Sequence, residues 1–191
     1  KCNMTDAKKI AQNAKVILMD LDETLFREDK TISEYSMDVL ERCRKKGLYV
    51  GFATSRGYND IQGWIRKVNP DVVISNGGAY VLFRGEPVYE SLFSAEEIRD
   101  IIATSRRLCG DEVEITVDTI HTLYWNQLVS ASAKYTGSGT VTVTDFNDFK
   151  ERAFKISVNT YEEEIAAEIA GKTIVKELYV KGRLVNIVVK P

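Results

Sequence analysis

The chain has 191 residues, 44% of them hydrophobic and 28% charged, with a formal net charge of -2. That length suits one large domain or two small ones with a sizeable core. Charges of both signs are interspersed, which leaves no basic surface for nucleic acid or an anionic membrane, and neither is expected as a partner.

Three cysteines, Cys2, Cys43 and Cys109, are odd in number and far apart. They form neither a metal-ligand spacing nor a disulfide framework, which favours a reducing compartment. No apolar run approaches the roughly 18 residues of a membrane span, and the N-terminal residues lack the apolar centre of a secretory signal. The expected location is cytoplasmic.

Residues 6–14 read as a short leading helix, and 15–20 (KVILMD) as a buried strand that ends on a carboxylate. Ser33 is an N-cap candidate for a helix that carries Met37, Leu40 and Cys43 at helical spacing and stops at Gly47. Residues 48–54 (LYVGFAT) form a second strand, 58–68 a helix, and 71–75 (DVVIS) a third strand ending at NGG. Strands apolar on both faces that alternate with helices predict a parallel sheet with right-handed crossovers.

After Gly78 the texture changes. Residues 78–90 read as a hairpin turning near Gly85, followed by a helix whose start, Ser94 with Glu97, has the form of a capping box. Residues 111–118 and 121–129 alternate in the manner of a half-exposed antiparallel sheet, and 134–140 (KYTGSGT) is a loop. A strand over 153–159, a helix over 161–171 and a pair of strands around Lys181 and Gly182 complete an α+β second half. Two units are expected, divided near residues 85 to 93.

Ligands gather at the carboxyl ends of the strands in an open parallel sheet. There the first strand delivers Asp20, Asp22 and Thr24, the second Thr54, Ser55 and Arg56, and the third Ser75, Asn76, Gly77 and Gly78. Two carboxylates one residue apart repel and are costly to desolvate without compensation. Carboxylates, hydroxyls, a guanidinium and glycine-exposed amides together describe a site for a divalent cation and a phosphoryl group. An EF-hand does not fit, because loop position six would be Leu25 and position twelve Thr31.

DLDET after an apolar strand resembles the first motif of the haloacid dehalogenase superfamily, and FATSR resembles its second. ISNGGAYV is similar to a stretch of its Cof-type phosphatases, which insert a large α+β cap after the third strand. The resemblance implies an α/β fold with a Rossmann-like parallel-sheet core over residues 1–84 and an α+β cap over 85–191, with 92–189 fitting the cap. It implies a Mg²⁺-dependent phosphomonoester hydrolase acting on a small phosphorylated metabolite, a sugar phosphate or similar. Asp20 would attack phosphorus to form an aspartyl-phosphate, and Asp22 would protonate the leaving alcohol and then activate water. Thr54 would bond the phosphoryl oxygens, with Mg²⁺ held by Asp20 and the Asp22 main-chain carbonyl. Thr24, Ser55, Arg56, Asn76 and Gly77 complete the expected phosphate and substrate set.

The family pattern also needs a lysine and an acidic pair after the cap. Lys172, Lys176, Lys181 and Lys190 lie late in the chain without the family's context, and no GDxxND-like stretch occurs. The chain therefore reads as the first two-thirds of a longer protein, and little activity is expected of this span alone. Two other readings are a noncatalytic phosphate-binding or interaction protein of the same fold, and a metal-dependent nucleotide-sugar transferase. The second leaves FATSR and SNGG unexplained. His121 reads as a structural strand residue, and Tyr124 and Trp125 as packing in the cap, with a substrate-lining role for one of them as the alternative.

Overall fold

The computed structural model describes residues 13–160, 174–178 and 185–189. The helix expected over 161–171, and nearly all of that expected over 6–14, lie outside the described residues.

Five strands form the first sheet: β1 (Val16–Met19), β2 (Tyr49–Ala53), β3 (Val72–Ser75), β4 (Tyr80–Phe83) and β5 (Glu86–Glu90), side by side in that order. The first three are parallel, with Ile17 opposite Val50 and Phe52 opposite Val73. Two helices make the crossovers, α1 (Glu34–Lys45) and α2 (Gln62–Val68). Ser33 caps α1 as its sequence position predicts, its hydroxyl accepting the Ser36 N–H at 3.0 Å. The helix expected over 58–68 is divided, a tight turn (Asn59–Ile61) preceding α2.

One face of this sheet is buried. Val50, Phe52, Val73 and Leu82 pack there with Leu21, Leu25, Leu40, Ile61 and Val68. The alternate residues Val16, Leu18, Tyr49 and Phe83 are exposed. β1 pairs with β2 alone among the described strands, so it forms the sheet's edge there. The β4–β5 hairpin turns at Arg84 and Gly85, with φ of 52° and 85°, the paired positive values of a tight hairpin turn. Both its strands belong to the first sheet, and the chain leaves that sheet after Glu90.

The second sheet has the order β10-β11-β9-β6-β7-β8. Its strands are β6 (Glu114–Asp118), β7 (Thr122–Trp125), β8 (Thr140–Val143), β9 (Lys155–Thr160), β10 (Ile174–Leu178) and β11 (Val185–Val189). Helix α3 (Ala95–Cys109) packs on it through Ile98, Ile101 and Ile102 against Val113, Ile115, Val117, Ile156 and Val158. Both hydrogen bonds of the Ser94–Glu97 capping box are present.

Three features of this half differ from the sequence expectation. β6 is not half-exposed; all five of its residues are buried, because it lies inside the sheet and its polar alternates meet other protein groups rather than water. A short helix, α4 (Leu128–Lys134), follows β7 and lets β8 join β7 in parallel. His121 lies in the exposed bend between β6 and β7 rather than on a strand. The two sheets are tied by a bridge between Phe93 and Ala153 and by Phe154, which stacks on Tyr80 in the first core at 4.7 Å.

Candidate active site

β1 is exposed or half-buried along its length rather than buried as the sequence suggests, and it delivers its carboxylates because the chain beyond it alternates. Leu21 and Leu25 are buried while Asp20 and Thr24 are exposed and Asp22 is half-buried. Asp20 caps the turn that follows, its Oδ1 accepting the Leu21 N–H at 2.8 Å. The turn closes with the Phe26 N–H donating to the Leu21 carbonyl at 2.8 Å, and Glu23 takes a left-handed conformation (φ 57°) within it.

The ends of β2 and β3 are knitted together beside this turn. Thr54 is buried, and its Oγ1 accepts the Arg56 N–H at 3.2 Å. Its carbonyl accepts the Gly77 N–H at 3.2 Å, while the Asn76 N–H donates to the Arg56 carbonyl at 2.8 Å. Asn76, Gly77 and Gly78 have φ of 53°, 66° and 98°, three successive left-handed residues of the kind glycine permits. Asn76 Oδ1 accepts the Tyr58 N–H at 2.9 Å. Its Nδ2, in a residue only 2% exposed, has no hydrogen-bond partner among the described residues. A buried donor without an acceptor at these strand ends is a place for a ligand oxygen.

Asp22 is the most strongly held group of the site. Arg56 grips it with two hydrogen bonds, and Lys30 Nζ lies 2.8 Å from its Oδ1. The Arg56 hydrogen bond above all, opposed by burial and helped by Lys30, lowers the Asp22 carboxyl to about 2. Arg56 in turn lies over the rings of Trp64 (5.5 Å) and Phe26 (6.0 Å) and reaches Thr136 Oγ1 at 3.3 Å, beyond the second sheet's α4.

The structure thus brings Asp22, Thr54, Arg56, Asn76 and Gly77 into one hydrogen-bonded network. Asp20 sits at the same strand end, and Thr24 and Ser55 are exposed beside it. Ser55 engages through its carbonyl, which accepts from Lys155 Nζ at 3.3 Å. Sequence reasoning missed Lys30, held in a left-handed conformation (φ 62°) with its carbonyl accepting from Trp64 Nε1 at 3.2 Å. The available signal was a pair of cations, Arg27 and Lys30, in the loop that follows the acidic motif.

Among the described residues no three His, Cys, Asp or Glu side chains form a metal-holding group. The strand end offers a hard cation the Asp20 carboxylate, which takes one protein hydrogen bond, and the Asp22 main-chain carbonyl. The Asp22 carboxylate is already occupied by two cationic side chains. That donor set suits Mg²⁺, which keeps several waters and needs only one or two carboxylates.

Among curated proteins, a 67-residue stretch of the chain is 36% identical to 5-amino-6-(5-phospho-D-ribitylamino)uracil phosphatase YitU of Bacillus subtilis (strain 168). The match covers 35% of this chain and spans 25% of that relative's length. Among solved structures, a haloacid dehalogenase-like hydrolase from Bacteroides thetaiotaomicron matches with a TM-score of 0.73 at 17% identity, over 93% of this chain and 71% of that one. A sugar phosphatase of haloacid dehalogenase subclass IIB matches with a TM-score of 0.68 at 19% identity, over 93% of this chain and 70% of that one. At such identities these structures establish the fold. In sequence, residues 17–182, a span that includes strands of both sheets, match the haloacid dehalogenase-like hydrolases, and the chain belongs to that family.

Proposed function

We propose that the chain carries the nucleophile and the acid–base group of a Mg²⁺-dependent phosphomonoester hydrolase, with the residues after Glu90, where the chain leaves the first sheet, forming its cap and a small phosphorylated metabolite as substrate. The observation that carries this reading is the pair of carboxylates at the end of β1 beside Thr54 and the unpartnered Asn76 amide, in a member of a hydrolase family. Two of its relatives are named as phosphatases of small molecules. Family membership removes the nucleotide-sugar transferase reading. Cys43 and Cys109 are free thiols, in keeping with a cytoplasmic protein.

Asp20 attacks phosphorus in line, the ester P–O bond breaks, and the electron pair leaves on the alkoxide, which takes a proton from Asp22. Water then attacks the aspartyl-phosphate while Asp22 removes its proton, and Asp20 and inorganic phosphate are released. Thr54 and Asn76 donate to the phosphoryl oxygens. Asp20 and the Asp22 main-chain carbonyl would hold Mg²⁺, which would supply positive charge to the phosphoryl group.

Asp22 paired with Arg56 and Lys30 is a carboxylate at neutral pH, ready to accept a proton rather than donate one. Transfer of the Arg56 guanidinium from Asp22 to an arriving phosphoryl group would raise the Asp22 pKa back towards its ordinary value, with Lys30 still lowering it, which eases proton donation to the leaving alkoxide.

The test is hydrolysis of p-nitrophenyl phosphate by the full-length protein, with and without Mg²⁺, alongside Asp20→Asn. Turnover that chelation abolishes and that the variant lacks is expected. Equal turnover by the variant would overturn the mechanism.

A further inference from the structure

Trp64 stands on α2 rather than at a strand end, half-buried against the first core. Two of its contacts are directed rather than merely apolar. Its Nε1 donates to the Lys30 carbonyl at 3.2 Å, across 34 positions of the chain. Its ring faces the Arg56 guanidinium at 5.5 Å and packs on Phe26 at 4.6 Å. Lys30 and Arg56 are the cations that hold the Asp22 carboxylate, and the Phe26 N–H closes the turn that carries Asp22. The supports of one carboxylate therefore meet on a single indole.

Packing alone does not call for this arrangement. Lys30 has φ of 62°, a left-handed conformation that is strained for a residue with a side chain. Its N–H donates to the Arg27 carbonyl at 2.9 Å, and its own carbonyl takes the indole N–H. From that backbone the ammonium group reaches Asp22 Oδ1 at 2.8 Å. Glycine would adopt the same φ without strain but would leave Asp22 with one cation. On the other side, the Arg56 guanidinium lies between Asp22 and the rings of Trp64 and Phe26, which keep its plane turned for the two-toothed grip.

We infer that Trp64 is a positioning residue: its N–H fixes the Lys30 loop and its ring carries Arg56, and through these two cations it orients the Asp22 carboxylate for proton transfer. This rests on the hydrolase reading above. Loss of the N–H frees the Lys30 side of the grip, and loss of the ring frees the Arg56 side as well. A carboxylate held from neither side samples orientations in which it cannot reach the leaving oxygen.

Phenyl phosphate and p-nitrophenyl phosphate differ by one nitro group, and only the first has a leaving group that depends strongly on a proton. Trp64→Phe keeps an aromatic face and removes the N–H, while Trp64→Leu removes both. In the full-length protein with Mg²⁺, Trp64→Leu should lower kcat/KM about tenfold for phenyl phosphate and about threefold or less for p-nitrophenyl phosphate. Trp64→Phe, which retains the core contact, should show the same bias more weakly. Equal losses on the two esters in both variants would mean a merely structural role and overturn the inference. So would native kcat/KM for phenyl phosphate in Trp64→Phe. The Arg56 Nε–H resonance in nitrogen–proton NMR spectra reads the grip without turnover. It should persist in Trp64→Phe and be lost to exchange in Trp64→Leu, with the fold checked by circular dichroism. A folded Trp64→Leu that keeps the resonance would remove the ring's role and with it the inference. A native protein that hydrolyses neither ester, while the resonance still depends on the ring, would defeat the hydrolase reading and leave the placement of Arg56 by Trp64 standing.

Discussion

Arg56 grips both oxygens of Asp22, with Nε 2.6 Å from Oδ2 and Nη2 2.9 Å from Oδ1. The same guanidinium lies over Trp64 and reaches Thr136, so one side chain joins the Asp22 carboxylate of the first sheet to a residue that follows the second sheet's α4. Such a two-toothed grip needs the planar fork of arginine, which lysine cannot reproduce.

Arg56→Lys should therefore raise the Asp22 pKa from about 2 towards its ordinary 3.8, with Lys30 holding it part of the way. The native pair depresses the folded-state value, so its stabilising contribution is complete above pH 3.8 and is lost as pH falls towards 2. An NMR titration of the Asp22 carboxyl carbon reads the midpoint directly. An unchanged midpoint would mean that Lys30 alone holds the charge.

Asp20→Asn should remove turnover by about a thousandfold or more while leaving the melting temperature close to that of the native protein. The side chain is exposed, and an amide oxygen can still accept the Leu21 N–H, so the fold loses little. Single-turnover kinetics and thermal melts separate the two effects. A large drop in melting temperature would assign Asp20 a structural task instead.

Asp60→Asn should stabilise the protein, and more so at higher pH. The folded-state pKa is raised from 3.8 to about 6, so the native residue carries no penalty below pH 3.8 and its full penalty above 6. A shift of that size corresponds to about 2–3 kcal/mol at neutral pH. Urea unfolding at pH 4.5 and 7.5 should show the gain growing with pH. A gain independent of pH would place its origin in packing rather than charge.

Gly139 lies against Asn59, where a Cβ would collide with both the Asn59 carbonyl and its carboxamide. That close approach lets Asn59 Nδ2 donate to the Thr140 carbonyl at 2.8 Å while Asn59 Oδ1 accepts the Thr140 N–H at 3.1 Å. Gly139→Ala should break this pair and cost about 1–3 kcal/mol. Hydrogen exchange at the Thr140 amide should accelerate along with the fall in stability. Unaltered protection there would show that the two sides are held together by other contacts.

β1 presents an edge among the described strands, with Val16 and Leu18 43% and 42% exposed. An apolar edge of this kind pairs readily with other chains. Leu18→Lys in the 191-residue chain should shift sedimentation towards the monomer. Identical sedimentation profiles would mean that the edge takes no part in self-association.

The three parallel strands, the N-cap Ser33 of α1, the capping box of α3 and the hairpin turn at Arg84 and Gly85 were legible in the sequence because each depends on residues near one another along the chain. An apolar run ending in DLDET places Asp20 and Asp22 at a strand end whatever packs later. α4 and β8 were not legible: Gln127 makes no side-chain cap bond, and the alternation of Thr140–Val143 acquires a partner only when α4 carries it back beside β7. β6 was misread as half-exposed because Glu114, Thr116 and Asp118 look like a solvated face, yet they are buried. Lys30 reaches Asp22 across eight positions, and Arg56 across 34. Asp60 meets Asp118 and Lys155 only where the two sheets face each other. The sequence by itself determined which groups stand at the strand ends, since local alternation settles that. The tertiary structure alone decided which of those groups are charged, paired or left without a partner, because ion pairing and burial depend on distances through space.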